Sequence, residues 1–259
     1  MIKIIGIPFD EKSSFQKGTR LAPPLIRKAL HSGAMNLYSE SGFSLENNIL
    51  KDAGDFKVSS YFEIEKISAA QLQGSTKIVT LGGDHSITFP VIKAFYHKYG
   101  PMDLLHIDAH ADLYDVFEGD RFSHACPFAR IMENGFANRL VQIGIRTLNP
   151  EQRTQAQKFN VEVHEMRHLD LSALPKFQKP VYISLDMDAF DPAFAPGVSH
   201  HEPGGLTSRE VITLLQNLDG DVLGADIVEY NPLRDFQEMT AYLAAKMLKE
   251  IVSKMAENE

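Results

Sequence analysis

The sequence predicts an α/β protein of three layers, with a central, mostly parallel sheet covered by helices on both faces. Three observations carry that prediction. Short apolar runs of strand character alternate with segments of helical periodicity along the whole chain. No linker, repeat or low-complexity segment interrupts the alternation, so a single domain over 1–259 is expected. Histidines and aspartates fall directly after three of the apolar runs, where parallel sheets place their ligand sites.

Composition agrees with a globular protein and narrows its partners. The 259 residues are 44% hydrophobic and 23% charged, an ordinary balance for a chain able to bury a large core. A formal net charge of −8 argues against a duplex-binding protein, because affinity for phosphate backbones depends on Lys and Arg. Cys126 is the only cysteine, so no intramolecular disulfide can form, and a reducing compartment, the cytoplasm, is expected. The apolar start from Met1 to Pro8 is too short, and too soon charged at Lys3, for a signal peptide. No stretch approaches a charge-free membrane span.

The elements follow in order. Ile2 to Ile7 reads as a buried strand closed by Pro8. Pro23 and Pro24 open a helical pattern through Leu30, at the first turn where proline is tolerated. Ser32 to Asp55 is rich in Gly, Ser and Asn and reads as loop with short strands. Tyr61 to Gln73 has helical periodicity, with Phe62, Ile67 and Leu72 among its apolar positions. Lys77 to Leu81 is a second strand, and the tight turn Gly82-Gly83 leads through Asp84, His85 and Ser86 into a helix from Ile87 to Tyr99, stopped by Gly100 and Pro101. A third strand starts at Asp103, followed by a polar loop from Leu113 to Phe122 and a helix from Pro127 to Glu133. Leu140 to Ile145 is a strand, Pro150 to Lys158 a helix, Val161 to Glu165 a strand and Val181 to Leu185 another. A Pro/Gly/His loop runs to Gly205, and Thr207 with Glu210 forms a capping box for a helix through Leu218. A last strand, Val222 to Glu229, precedes an amphipathic helix from Met239 to Met255.

The third strand ends in Asp108-Ala109-His110-Ala111-Asp112. If extended, it would set the three polar side chains on one face, with two small residues packed behind them. Buried carboxylates need a cation, since unpaired charge out of water is very costly. His85 after the second strand and Asp186 and Asp188 after the Val181 strand enlarge the set to four carboxylates and two imidazoles, more than one structural zinc requires. An oxygen-rich, thiol-free set suits Mn2+ or a related harder ion, with ligands enough for two. Each piece alone has a plainer account: His85 in a helix cap with Asp84 and Ser86, Asp186 and Asp188 as turn residues before Pro192, His124 as a loop histidine, Glu229 in an ion pair with Arg234. Their joint occurrence favours a metal centre.

Gly82-Gly83-Asp84-His85-Ser86, Asp108-Ala109-His110-Ala111-Asp112, Ser184 through Asp186, Asp188 and Asp191 to Pro192, and Gly204-Gly205-Leu206-Thr207 together resemble the motifs of the ureohydrolases, the family of arginase, agmatinase and their relatives. The resemblance runs from Ser13 to Pro232, and is nearest to the plant-type arginase branch at Phe117 to Gly119, Ser123 to Ala125, Phe128 to Glu133 and Ala195 to Gly205, although no organelle-targeting extension is expected. It implies an arginase/deacetylase-like fold with a central parallel sheet of about eight strands, and two Mn2+ per chain. His85, Asp108, Asp112 and Asp186 would bind one ion; Asp108, His110, Asp186 and Asp188 the other. A hydroxide between them would attack the guanidinium carbon. Asp112 would hold that hydroxide, His124 would shuttle protons, and Glu229 would pair with the guanidinium. The family also commonly forms trimers or hexamers, so a homo-oligomer is expected.

Arginine hydrolysis to ornithine and urea is the first expectation and agmatine hydrolysis the alternative. A single-zinc deacetylase is disfavoured by the second ligand set, and a non-catalytic scaffold by its intactness. The substrate tail is open. Tyr114, Arg121, Ser123 and His200 offer donors to a carboxylate, whereas Asp115, Glu118 and Asp120 would welcome an ammonium.

Overall fold

The computed structural model describes residues 1–46, 48–73, 77–173 and 176–257. Eight strands form one sheet, every described pairing parallel. They are β1 (Ile2–Gly6), β2 (Leu50–Asp55), β3 (Lys77–Leu81), β4 (Met102–Ile107), β5 (Ala137–Ile145), β6 (Glu162–Glu165), β7 (Val181–Asp186) and β8 (Val222–Val228). The helices are α1 (Ala22–Leu30), α2 (Glu63–Leu72), α3 (Thr88–Tyr99), α4 (Pro127–Glu133), α5 (Pro150–Lys158), α6 (Ser208–Asn217) and α7 (Met239–Ala256).

The six inner strands are apolar almost without break because both faces of the sheet are covered there. Successive residues go to opposite cores: Ile4, Val79, Leu105 and Ile183 lie with α1, α6 and α7, while Ile5, Ile78, Leu104 and Tyr182 lie with α2, α3, α4 and α5. That period of two is the pleat itself. No helix among the described residues is long and apolar enough to cross a membrane.

Strand order is β2-β1-β3-β8-β7-β4-β5-β6. Chain order reverses between β3 and β4, which are consecutive in sequence yet separated by β8 and β7. The carboxyl ends of these four central strands therefore open onto one crevice, and His85, Asp108, Asp186 and Glu229 stand at or just beyond them.

Several boundaries differ from the sequence expectation, and two of them concern whole stretches of strand. β2 lies inside the stretch read as mostly loop: it is an edge strand with no buried residue, so burial imposed no apolar pattern on it. β5 begins at Ala137, ahead of Leu140, with Asn138 and Arg139 on the exposed margin. The capping box of α6 forms as read, Thr207 accepting the Glu210 N–H and the Glu210 carboxylate taking the Thr207 N–H at 2.7 Å.

Candidate metal centre

β4 stops at Ile107, so Asp108, His110 and Asp112 do not share a strand face as the extended reading supposed. The chain turns instead. The Asp108 N–H still bonds Ile143 O at 3.0 Å, its Oδ1 accepts the His110 N–H at 2.6 Å, and Asp112 takes a left-handed φ of 49°. This turn packs closely on β5 because Gly144 has no Cβ; one there would sit 2.8 Å from the Asp108 carbonyl oxygen. The turn after β3 is equally tight, a Cβ on Gly83 falling 1.9 Å from the Phe9 carbonyl oxygen. There Asp84, not His85, caps the short helix, accepting the Ser86 N–H, which frees the His85 ring to point into the cluster.

The six expected ligands converge. His85 Nδ1 lies 3.2 Å from Asp108 Oδ2, 3.1 Å from Asp112 Oδ2 and 3.1 Å from Asp186 Oδ2. His110 Nδ1 lies 3.5 Å from Asp108 Oδ1 and 3.1 Å from Asp188 Oδ2. Asp108 thus presents one oxygen to each imidazole. His110 alone is partly exposed; the other five are buried.

The donor set suits cations. His85 Nε2 bonds Ser184 Oγ at 2.9 Å, and that hydroxyl is committed as a donor to Asp226 Oδ1 at 2.6 Å. Nε2 therefore carries the ring proton, and Nδ1, fully buried and without a hydrogen bond, aims a lone pair at three carboxylate oxygens. A lone pair facing three negative oxygens out of water is tolerable only around a positive charge. Without a metal a proton supplies it: burial opposes charging, but Asp108, Asp112 and Asp186 outweigh it and push the His85 imidazole well above its ordinary range. Burial also raises two of the carboxyls, Asp186 far up with Asp188 and Asp108 beside it, and Asp188 to about 6 despite His110. A divalent ion would displace these protons.

His106, Asp108 and His85 also lie close enough to share an ion, but hydrogen bonding gives His106 another task. Gln142 Nε2 donates to Ala111 O at 2.6 Å and to His106 Nδ1 at 2.9 Å. His106 Nδ1 is thus the acceptor, and Nε2–H donates to Asp108 Oδ2 at 2.7 Å. His106 orients Asp108 and has no lone pair left to offer.

Beside the cluster, His124 Nδ1 lies 3.1 Å from Glu229 Oε1, and Glu229 also accepts the His85 N–H at 2.8 Å. Burial works against the Glu229 charge, but these donors hold its carboxyl below the usual range; burial likewise opposes charging His124, yet Glu229 carries the imidazole up to about 9. Glu229 has no ion pair with Arg234 among the described residues.

One cleft joins these groups, lined among others by His110, Asp112, His124, Asp186, Asp188 and Glu229. Of the proposed tail contacts, Tyr114 and His200 line it, the His200 ring stacking on His124 at 5.4 Å between centroids. Ser123 does not: it is buried, and its Oγ accepts the Ala125 N–H. Arg121 faces outward to Asp115 and Glu133, and Asp120 is held by Lys12. Ser14, Thr147, Gln152 and Glu202 line the cleft without having been singled out in the sequence. Nor were His106, Gln142 and Asp226, and Ser184 was read as part of a motif with no role assigned. His106 alone left a signal, as a histidine two residues before a candidate ligand aspartate on a buried strand. Arg146 was missed too; its guanidinium donates to the carbonyls of Asp188 at 2.8 Å and Glu202 at 2.6 Å, tying the ligand turn to the cleft wall.

The model of the Arginase family matches residues 1–253. Arginase 2, chloroplastic/mitochondrial, of Arabidopsis thaliana is 45% identical over 275 aligned positions, covering 98% of this chain and 80% of that protein. The N(1)-aminopropylagmatine ureohydrolase of Thermus thermophilus is 36% identical, with 93% and 86% covered. The solved structure of the arginase from Medicago truncatula superposes with a TM-score of 0.92 at 43% identity, covering 98% of this chain and 87% of that one.

Proposed function

Since the chain belongs to the arginase family, we propose that it is a binuclear-manganese amidinohydrolase converting L-arginine to L-ornithine and urea. The observation that carries the reading is the His85 Nδ1 lone pair set among three carboxylates, with Asp108 turning its second oxygen to His110. One ion would be held by His85, Asp108, Asp112 and Asp186, the other by Asp108, His110, Asp186 and Asp188. Oxygen and imidazole donors without thiolate suit Mn2+. Two such cations, when bound, neutralise the carboxylates and acidify water enough to make it a nucleophile near neutral pH.

The chain's own groups do the rest. Glu229 gives Oε1 to His85 N and His124 Nδ1 and keeps Oε2 for a guanidinium N–H; a planar cation and a carboxylate fork match in charge and shape. His124, kept protonated by Glu229, holds the proton that the departing amine nitrogen needs. Asp112 lines the cleft beside His85, and its carboxylate would hold the attacking water. Water adds to the guanidinium carbon, the C–N bond to the side chain breaks, and ornithine leaves with its amine protonated.

The single-zinc deacetylase reading leaves the His85 cluster, with its four groups, without a purpose. Agmatine remains the nearest competitor, supported by the 36% identical ureohydrolase relative. Urea release from L-arginine, agmatine and 4-guanidinobutyrate after Mn2+ loading separates them. Arginine should lead in kcat/KM; an agmatine lead of tenfold, about 1.4 kcal/mol in transition-state binding, replaces the arginase reading. Elemental analysis of fully active protein should find two manganese ions per chain, and a plateau at one sinks the binuclear centre.

The cytoplasm suits the single, buried Cys126. A homo-oligomer, a trimer or hexamer, is supported by the exposed apolar side chains of Phe15, Leu233 and Phe236; light scattering of the purified protein checks it.

A further inference from the structure

Asp84 is fully buried yet is not among the carboxylates that face His85 or His110. Its Oδ2 accepts the Lys12 N–H at 2.9 Å and the Ser13 hydroxyl at 3.4 Å. It is therefore an anchor for the loop of residues 10–18. That loop is tied at further points: Gly18 N–H to Asp10 at 2.8 Å, His124 N–H to Lys12 O at 3.3 Å, and Ser199 Oγ to Gln16 O at 3.0 Å. Its product is the placement of Ser14, whose Oγ lies on the cleft wall 2.8 Å from His124 Nε2.

The two ring nitrogens of His124 have unequal freedom. Nδ1 faces Glu229 Oε1, and an ionised carboxylate can only accept. Nδ1 therefore keeps its proton, and every gain or loss of a proton by this ring takes place at Nε2. The partner of such a nitrogen must serve both states. A carbonyl would favour the charged ring and an N–H the neutral one, whereas a hydroxyl accepts from Nε2–H and, after rotation, donates to the bare lone pair. Ser14 is that hydroxyl.

From this geometry we infer, resting on the hydrolase reading above, that Ser14 is the positioning residue for His124. It keeps Nε2 hydrogen-bonded before and after the ring gives its proton to the departing amine nitrogen, and Asp84 holds it there through the loop. The Nε2 proton leaves its bond to Ser14 Oγ for the amine nitrogen and ends there; the Ser14 hydroxyl, keeping its own proton throughout, turns about the Cβ–Oγ bond to donate to the bare Nε2, and turns back when water returns a proton to the ring.

The test uses the Mn2+-loaded enzyme and two variants. Ser14→Ala should keep full metal content and a KM within about twofold, and lose about tenfold in kcat, the scale of one hydrogen bond to a charged group. Ser14→Thr, which retains the hydroxyl, should recover most of the loss. An Ala variant with wild-type kcat overturns the inference, as does a rise in KM at constant kcat, which would make Ser14 a substrate contact. A Thr variant no better than Ala overturns it too. A second measurement does not need turnover. In protein labelled with 15N-histidine and loaded with a diamagnetic divalent ion, the His124 Nε2 signal, assigned through His124→Asn, should move in Ser14→Ala. If wild-type protein releases no urea from any guanidino compound, the hydrolase reading fails while an unmoved or moved His124 signal still decides the Ser14 bond.

Discussion

Replacing Asp186 by alanine is expected to abolish urea release, by about a thousandfold or more, the several kcal/mol that metal activation supplies. It should also strip metal from both positions. Asp186 Oδ2 faces His85 Nδ1 at 3.1 Å, and in the proposed assignment this carboxylate joins both ions, so its loss weakens two sites at once. Thermal melting separates this from simple damage. In the metal-free wild type the Asp186 carboxyl is forced far up by burial and by Asp188 and Asp108, so it stays uncharged there and removing it takes no charge from the cluster. The metal-free variant should therefore melt close to the metal-free wild type, while the rise in Tm on adding Mn2+ shrinks, because that rise tracks binding to the folded state. Asp186→Asn, which keeps an acceptor for the Asp188 N–H bonded at 2.7 Å, is the matching control. Full activity in the alanine variant would place the centre elsewhere.

His124→Asn should leave both metals bound and slow turnover by about 10²–10⁴-fold, the usual cost of a lost acid–base group. Glu229→Gln should instead weaken guanidinium binding and act on kcat/KM. The pairing also has a pH signature in the metal-free protein. Burial opposes the His124 charge but Glu229 lifts it from 6.5 to about 9. A folded value raised above the unfolded one contributes stability that is full below about 6.5 and lost as pH rises through about 9. The difference in Tm between wild type and His124→Asn should accordingly be largest in mildly acidic solution and fade in alkali. A difference independent of pH would assign the ring a packing role alone.

Legibility in the sequence followed burial. The central strands and the helices that cover them showed because both sheet faces demand apolar side chains, whereas β2, an unburied edge strand, carried no pattern. The candidate site was legible for the same reason in reverse: His85, Asp108, Asp186 and Asp188 are polar residues at the ends of otherwise apolar runs, where only a charge partner justifies them. His106 passed as one more strand residue, and Arg146 and Gln142 passed unnoticed, because a side chain that orients a ligand needs only the right distance, which spacing along a chain does not record.

The tail contacts show the limit from the other side. Arg121 and Ser123 have suitable chemistry and lie close in sequence to His124, yet one turns out to Glu133 and the other closes its own turn. By itself the sequence determined the alternating architecture and proposed the set of candidate ligand residues and the kind of ion they would suit, since composition and period express burial directly. The tertiary structure alone decided how they meet. It broke the strand before Asp108, set Asp112 and Glu229 at left-handed φ of 49° and 61°, gave the two oxygens of Asp108 to different histidines, and carried Ser14 from a distant loop to His124. Those outcomes depend on distances between strands that are far apart in the chain, and on local backbone conformations that L-residues adopt only when the surrounding packing imposes them.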